Sequence, residues 1–358
     1  MTGPAFLETF LSLTVQATVV IVVARFFANR MSSTTVLDRY WFCCHLLLLG
    51  LTFAAFGLPH LRILPHITIS DLRSYQQVQS WEVALARILL VVWLAGILVL
   101  SVSLFVSGLR IGRIIRAAER RGGQRLDQVA VSMDEKSRVK VLTDETIFSP
   151  FCWQFHQPYI LLPDRVHDFS SDEQLAILRH ELEHLRAGHP LALFIQRLTE
   201  IVFWYHPLVW GTSRQANLHR EFRCDSAAIR TTADTKCYLS SLLRLTDSIP
   251  QVRSLLPAGL GFGDQPSMFK QRLDRIRKTL PSISSTDTRP GYFSIALVCI
   301  ALCTTTLRVP TNVTANSRTH WSPWPRWSAT CLQFVGISVR DFELDGHRIR
   351  PHHHKDLQ

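Results

Sequence analysis

Apolar residues gather into a few long runs, three near the start of the chain and one near its end. Residues 4–24 carry one acid, Glu8, near the beginning and no charge after it, for about the 20 residues a bilayer span needs. Residues 40–58 form a second uncharged run. Residues 83–109, interrupted by Arg87 near their start, form the third and most apolar. A shorter fourth run, 292–307, is bracketed by Pro290-Gly291 and Arg308-Val309-Pro310. The pattern predicts transmembrane helices over about 4–24, 40–58, 83–109 and 291–307, a domain over 110–290, and a short tail over 308–358. The first run lacks the basic start and small-x-small cleavage site of a secretory signal peptide, so it reads as a retained span.

Between the third and fourth runs the pattern changes. A basic helical stretch reaches about residue 122, short strand-like pieces follow at 139–142 and 159–162, and from Phe169 the spacing is helical. Residues 191–206 are almost continuously apolar apart from Arg197 and Glu200, and Pro207 breaks them, which predicts a helical hairpin turning at His206-Pro207. The tail holds Trp321, Trp324 and Trp327 among prolines, a strand-like stretch over 332–339, and His352, His353 and His354, read as a solvated run.

Composition narrows the class. The 358 residues are 47% hydrophobic and only 19% charged, too apolar for a purely soluble globule and wrong for a collagen-like, coiled-coil or disordered chain. The net charge of +11 is mostly arginine, placed at the ends of apolar runs, where it marks membrane flanks and not a nucleic-acid stripe. Arg25, Arg30 and Arg39 in the first loop, and Arg110, Arg113, Arg116, Arg120 and Arg121 after the third run, place both segments in the cytoplasm. The N-terminus and the loop in which Arg62 and Arg73 balance Asp71 and Glu82 then lie outside, the 110–290 domain inside and the tail outside. This is the layout of a multi-pass inner- or plasma-membrane protein. Eight cysteines without a CxxC pair exclude a disulfide framework or a cysteine-rich zinc module.

The chemistry sits in His180-Glu181-Leu182-Glu183-His184, an HExxH sequence preceded by a capping box at Ser170 and Glu173. One helical turn separates the two histidines, so both rings can grip one zinc ion with Glu181 beside it as general base. A metzincin would place its third histidine at position 190, which is Pro190. The best candidate for the third ligand is therefore Glu221, with Asp225 on the same helix face as a partner for a ligand histidine. If 191–206 crossed the membrane, Glu221 would emerge on the opposite face from His180; the hairpin brings it back. Tyr205, His206 and His219 are candidate stabilisers of the tetrahedral oxyanion.

These residues resemble the BlaR/MecR family of membrane-bound antirepressor metallopeptidases. The likeness runs through Ser149-Pro150-Phe151, Pro158-Tyr159-Ile160-Leu161-Leu162-Pro163, the HExxH, Phe203-Trp204, Pro207-Leu208-Val209-Trp210, Glu221 and Cys224-Asp225, and the basic stretch 272–280. It implies a mainly helical polytopic membrane protein with four transmembrane helices and a cytoplasmic α+β glutamate-zincin-like domain. It implies one zinc ion per chain, and an endopeptidase that on a signal cuts itself and leads to removal of a cytoplasmic transcriptional repressor. The family usually has glycine at Gln154, aspartate at His189 and asparagine at His206. The tail, at about fifty residues, is too short for the β-lactam sensor domain, so antibiotic sensing is not carried over.

Two other readings have distinct signatures. An intramembrane protease would bury its HExxH in a span, but Arg179, Glu181, Glu183 and Arg186 make this helix too charged for hydrocarbon. A non-catalytic transducer, stapled by zinc and binding a cytoplasmic regulator, would need the ligands but not Glu181.

Overall fold

The computed structural model describes residues 3–58, 71–120, 139–229, 231–247, 266–278, 290–305, 309 and 326–336. Three long helices come first: α1 (Gly3–Ala28), α2 (Thr34–Gly57) and α3 (Leu72–Arg120). Each is long and apolar enough to cross a membrane. At 1.5 Å per residue they extend roughly 39, 36 and 74 Å.

Two boundaries differ from the sequence pattern. Helix α2 begins at Thr34, not at residue 40, because Asp38 and Arg39 lie within its opening turns and are no barrier to helix there. Helix α3 begins at Leu72, so Arg73 and Glu82 stand on the helix and not in a loop, and it continues past residue 109 to Arg120. That extension survives the end of the apolar run because Ile111, Ile115 and Ala118 recur at helical spacing on one buried face.

Among the described residues between 139 and 278, a small sheet and five α-helices follow. Strands β1 (Lys140–Asp144), β2 (Phe151–Trp153) and β3 (Tyr159–Pro163) align in the order β1-β3-β2. β1 runs parallel to β3 and β2 antiparallel to it. Helices α4 (Ser171–Arg186), α5 (His189–Val202), α6 (Pro207–Ala228), α7 (Thr232–Asp247) and α8 (Pro266–Lys278) follow. The turn at residues 203–206 makes α5 and α6 a hairpin, and Pro207 at the start of α6 is where a missing N–H costs nothing.

Alternation along β3 places the sheet between two helices. Ile160 and Leu162 join Val141, Ile177, Leu178, Leu182 and Leu185 in one core against α4. Leu161 points the other way, into a cluster with Ile111 and Ile115 of α3 and Phe151. The HExxH helix is thus clamped through its leucines to the sheet, and the sheet to the C-terminal end of α3.

Near the end of the chain, α9 (Pro290–Thr304) and α10 (Arg326–Phe334) complete the described elements. Helix α9 has 15 residues, a rise of about 22 Å, short of the roughly 30 Å hydrocarbon core. Three described helices therefore meet the length for crossing, where the apolar pattern predicted four. The strand expected from residue 332 is also corrected. Residues 332–334 are helical in α10, because Ser328, Ala329 and Leu332 share one face at helical spacing. Positions 337–339, Trp321, Trp324 and His352 to His354 lie outside the described residues.

The chain divides into two compact units, Met1–Arg25 with Leu47–Ala95 and Tyr292–Gln358, and Phe26–Leu46 with Gly96–Gly291. Within the first, Phe56 stacks on Trp93 with ring centroids 5.8 Å apart, and Ser12 Oγ accepts the Val309 N–H at 2.9 Å. In α3, Val91, Leu94 and Leu98 are each at least half exposed, an apolar face suited to lipid and not to water. In the second unit, Gly96 of α3 lies where any Cβ would overlap the Trp204 indole, so a side chain there would push the hairpin turn away.

Candidate metal centre

Helix α4 is started by a reciprocal cap. Ser170 Oγ accepts the Glu173 N–H at 3.3 Å, and the Glu173 carboxylate accepts the Ser170 N–H at 3.0 Å. Glu173 also accepts from Ser240 at 2.8 Å and Arg244 at 3.0 Å, tying the cap to α7. With Leu178, Leu182 and Leu185 fixed on the sheet, the helical period turns His180, Glu181 and His184 together into the interior, where all three are buried. After α4, Gly188 takes the left-handed conformation (φ 71°) and the chain enters the hairpin.

The hairpin returns Glu221 to the two histidines. His180 Nε2 lies 3.5 Å from Glu221 Oε2, His184 Nε2 lies 3.6 Å from Glu221 Oε1, and the two Nε2 atoms are 3.3 Å apart. The three residues offer ligand atoms all within 4.8 Å of one another. Two imidazoles and a carboxylate make the donor set of a catalytic zinc site that keeps a position open. Burial works against a charge on His180, yet Asp225 and Glu221 raise its pKa to about 10, so the cluster calls for positive charge at this point. Burial likewise opposes ionisation of Glu221, but Arg272 and the two histidines hold its pKa well below the usual carboxylate range, which keeps it anionic. The residues fit a divalent cation.

Behind His180 stands a closed polar group. Asp225 Oδ1 is 3.4 Å from His180 Nδ1, and the Tyr238 hydroxyl bridges them, 2.9 Å from the ring nitrogen and donating to Asp225 at 2.6 Å. Arg272 of α8 donates to both Asp225 oxygens at 3.0 and 2.7 Å, to the tyrosine oxygen at 3.1 Å, and pairs with Glu221 at 3.0 Å. Behind His184, Nδ1 lies 2.8 Å from His189 Nδ1, and His189 Nε2 lies 3.1 Å from Asp38 Oδ2. Arg223 donates to Asp38 at 3.0 Å and to Glu183 at 2.8 Å.

Glu181 faces a different neighbour. The Cys152 thiol of β2 lies 3.1 Å from its carboxylate and 3.1 Å from its backbone carbonyl, with its one proton shared between them. Burial raises the Glu181 pKa, and burial pushes the Cys152 thiol up too, so the sulfur remains a donor. Cys152 also borders a cavity of about 570 Å³ lined by Phe105 and Leu109 of α3, Trp153 of β2, and Leu193 and Phe194 of α5. The walls are largely apolar, and Cys152 links them to Glu181.

The oxyanion candidates do not join this centre. Tyr205 and His206 sit at the hairpin turn, with α6 between them and Glu221; fourteen residues of helix from Pro207 amount to about 21 Å. His219 is two residues from Glu221, about 200° round the helix, and its ring packs on Phe222 with centroids 5.7 Å apart. Burial first, then Arg275, lowers its pKa to about 4. The sequence had no signal for a role of Tyr238, Asp38 or Cys152 at this centre, and Arg272 stood there only within the basic stretch 272–280 of the family likeness.

A polytopic helical protein with a buried His-His-Glu cluster beside a glutamate is laid out as a membrane metallopeptidase. The family described as BlaR1 peptidase M56 matches residues 5–276. The chain belongs to that family, as a member of the BlaR/MecR type. It is similar to the regulatory protein BlaR1 of Bacillus licheniformis, 32% identical over 189 residues that cover 51% of this chain and 31% of the relative. The chain therefore matches about a third of that relative's length.

Proposed function

We propose that this protein is a multi-pass zinc endopeptidase whose centre faces the cytoplasm, and that it acts in signal transduction. It cuts itself, a cytoplasmic protein, or both, and leads to removal of a transcriptional repressor. The observation that carries the reading is the convergence of His180, His184 and Glu221 within 4.8 Å, with Glu181 buried beside them. Arginines at the cytoplasmic ends of α1 and α3 support the orientation. The outward tail rests on a fourth crossing through α9. The regulatory role rests on the likeness to a protein named as regulatory.

Zinc held by His180, His184 and Glu221 would supply Lewis acidity, polarising the scissile carbonyl and acidifying the attacking water. Glu181 takes the water's proton and returns it to the departing amine; burial raises its pKa, which makes it a more effective proton carrier near neutrality. The Cys152 thiol orients the carboxylate. The apolar cavity beside Cys152 receives a large apolar side chain of the substrate, which sets the peptide bond against Glu181 and excludes water.

The test pairs zinc content with proteolysis for the detergent-purified parent and Glu181→Gln. Removing the base is expected to cost on the order of 10²–10⁴ in rate while zinc is retained. Zinc in both and cleavage by neither, with and without inducing conditions, would favour the zinc-stapled transducer.

A further inference from the structure

We propose that His189 and Asp38 form a positioning relay that fixes the zinc-binding ring of His184 from α2, the second membrane helix. The inference rests on the zinc reading of the centre. His184 Nε2 faces Glu221 and His180, which makes it the ligand atom and leaves the proton on Nδ1. That Nδ1–H points at His189 Nδ1, 2.8 Å away, so His189 Nδ1 accepts and carries no proton. The His189 proton is then on Nε2, where it donates to Asp38 Oδ2 at 3.1 Å. Each group has one role consistent with these neighbours, the Cys224 sulfur lies farther from His189 Nδ1 at 3.6 Å, and the chain ends on a carboxylate held by Arg223 at 3.0 Å.

All three relay groups are buried, so no water competes for these bonds. A metal-bound imidazole whose other nitrogen donates to such a chain is fixed in tautomer and rotation and is a stronger ligand. Here the carboxylate comes from α2, 151 residues away in sequence from His189, and the histidine spans the gap. The same neighbourhood permits one rival: His184, His189 and Cys224 also offer ligand atoms within 4.8 Å and would suit a second ion. The His–His separation of 2.8 Å is a hydrogen-bond length, which favours the relay.

The test is zinc affinity, read by competition with a chromophoric chelator on the full chain in detergent, together with metal stoichiometry and thermal midpoint. His189→Leu removes the acceptor and is expected to weaken zinc binding roughly 10–100-fold. His189→Asn keeps an acceptor in the same place, because Oδ1 of asparagine and Nδ1 of histidine are each one bond from Cγ, and should recover most of the loss. Asp38→Asn should fall between the parent and His189→Leu. Parental affinity in His189→Leu, an asparagine variant as weak as the leucine one, or an Asp38→Asn variant equal to the parent would each overturn the relay. Two zinc ions per parental chain would replace it with the second-ion site. If His189→Leu does not fold, the asparagine pair decides. Loss of cleavage with zinc retained in Glu181→Gln would stand in every case, so failure of the relay is distinguishable from failure of the peptidase reading.

Discussion

The two histidines of α4 are supported from behind by arrangements of the same logic and different reach. Behind His180, a tyrosine hydroxyl leads to a carboxylate, Asp225, which is gripped by an arginine, Arg272. Behind His184, an imidazole leads to Asp38, gripped by Arg223. The first arrangement is contained within α6, α7 and α8. The second begins on α5 and ends on α2. A carboxylate paired with arginine is the common terminus because a buried acid needs a partner to stay ionised, and an ionised acid is what orients the ring. The difference teaches that one ligand is set by the folded domain alone, while the other is set in part by a helix that continues into an apolar segment.

The largest expected effect comes from opening the closed arrangement. Arg272→Ala leaves Asp225 and Glu221 buried without their cation and is expected to cost about 3–5 kcal/mol of stability, read from thermal or denaturant unfolding in detergent. The matching change on the other side, Arg223→Ala, should cost clearly less, because Arg223 is more exposed than Arg272. Equal losses would erase the distinction between a contained and an outreaching support.

A smaller effect sharpens the same contrast. Tyr238→Phe removes one hydroxyl but leaves Asp225 3.4 Å from His180, so zinc affinity should fall by no more than about tenfold, at the low end for an outer-shell change. A drop as large as that of His189→Leu would mean that the two sides are equally dependent on their bridging group.

The smallest is a dependence on pH. Burial opposes the charge on Asp225, but Arg272 and the His180 contact lower its pKa from an ordinary 3.8 to about 2. A carboxylate held down in this way stabilises the fold fully above about pH 4 and loses that contribution as pH falls towards 2. In the presence of chelator, the parent's thermal midpoint should therefore decline more steeply over this window than that of Asp225→Asn. Parallel declines would remove Asp225 as the cause.

How much of this was written in the sequence depends on distance along the chain. The HExxH, its capping box and the turn before Pro207 are local patterns, and local patterns are what helical period and turn chemistry encode. Glu221 was accessible by one further step, since a proline-centred hairpin with arms of similar length returns its end to its start. Tyr238 and Asp38 carried no such signal: they meet their partners across 58 and 151 residues, and only packing brings them there. Arg272 stood only within the basic stretch 272–280 of the family likeness, and its grip on Asp225, 47 residues away, comes from packing alone. Strand β2 is three residues long, too short for alternation to declare itself. Tyr205 and His206 were attractive as polar groups near the motif in sequence, but the rise of α6 carries them to the far end of the hairpin.

X-ray absorption at the zinc edge of the purified protein reads the donor set directly. Nitrogen and oxygen neighbours at about 2.0–2.2 Å and no sulfur are expected, as for His180, His184 and Glu221. At one zinc per chain, a sulfur neighbour at about 2.3 Å would place Cys224 on the metal with His184 and His189, and would contradict both the peptidase centre and the relay behind it.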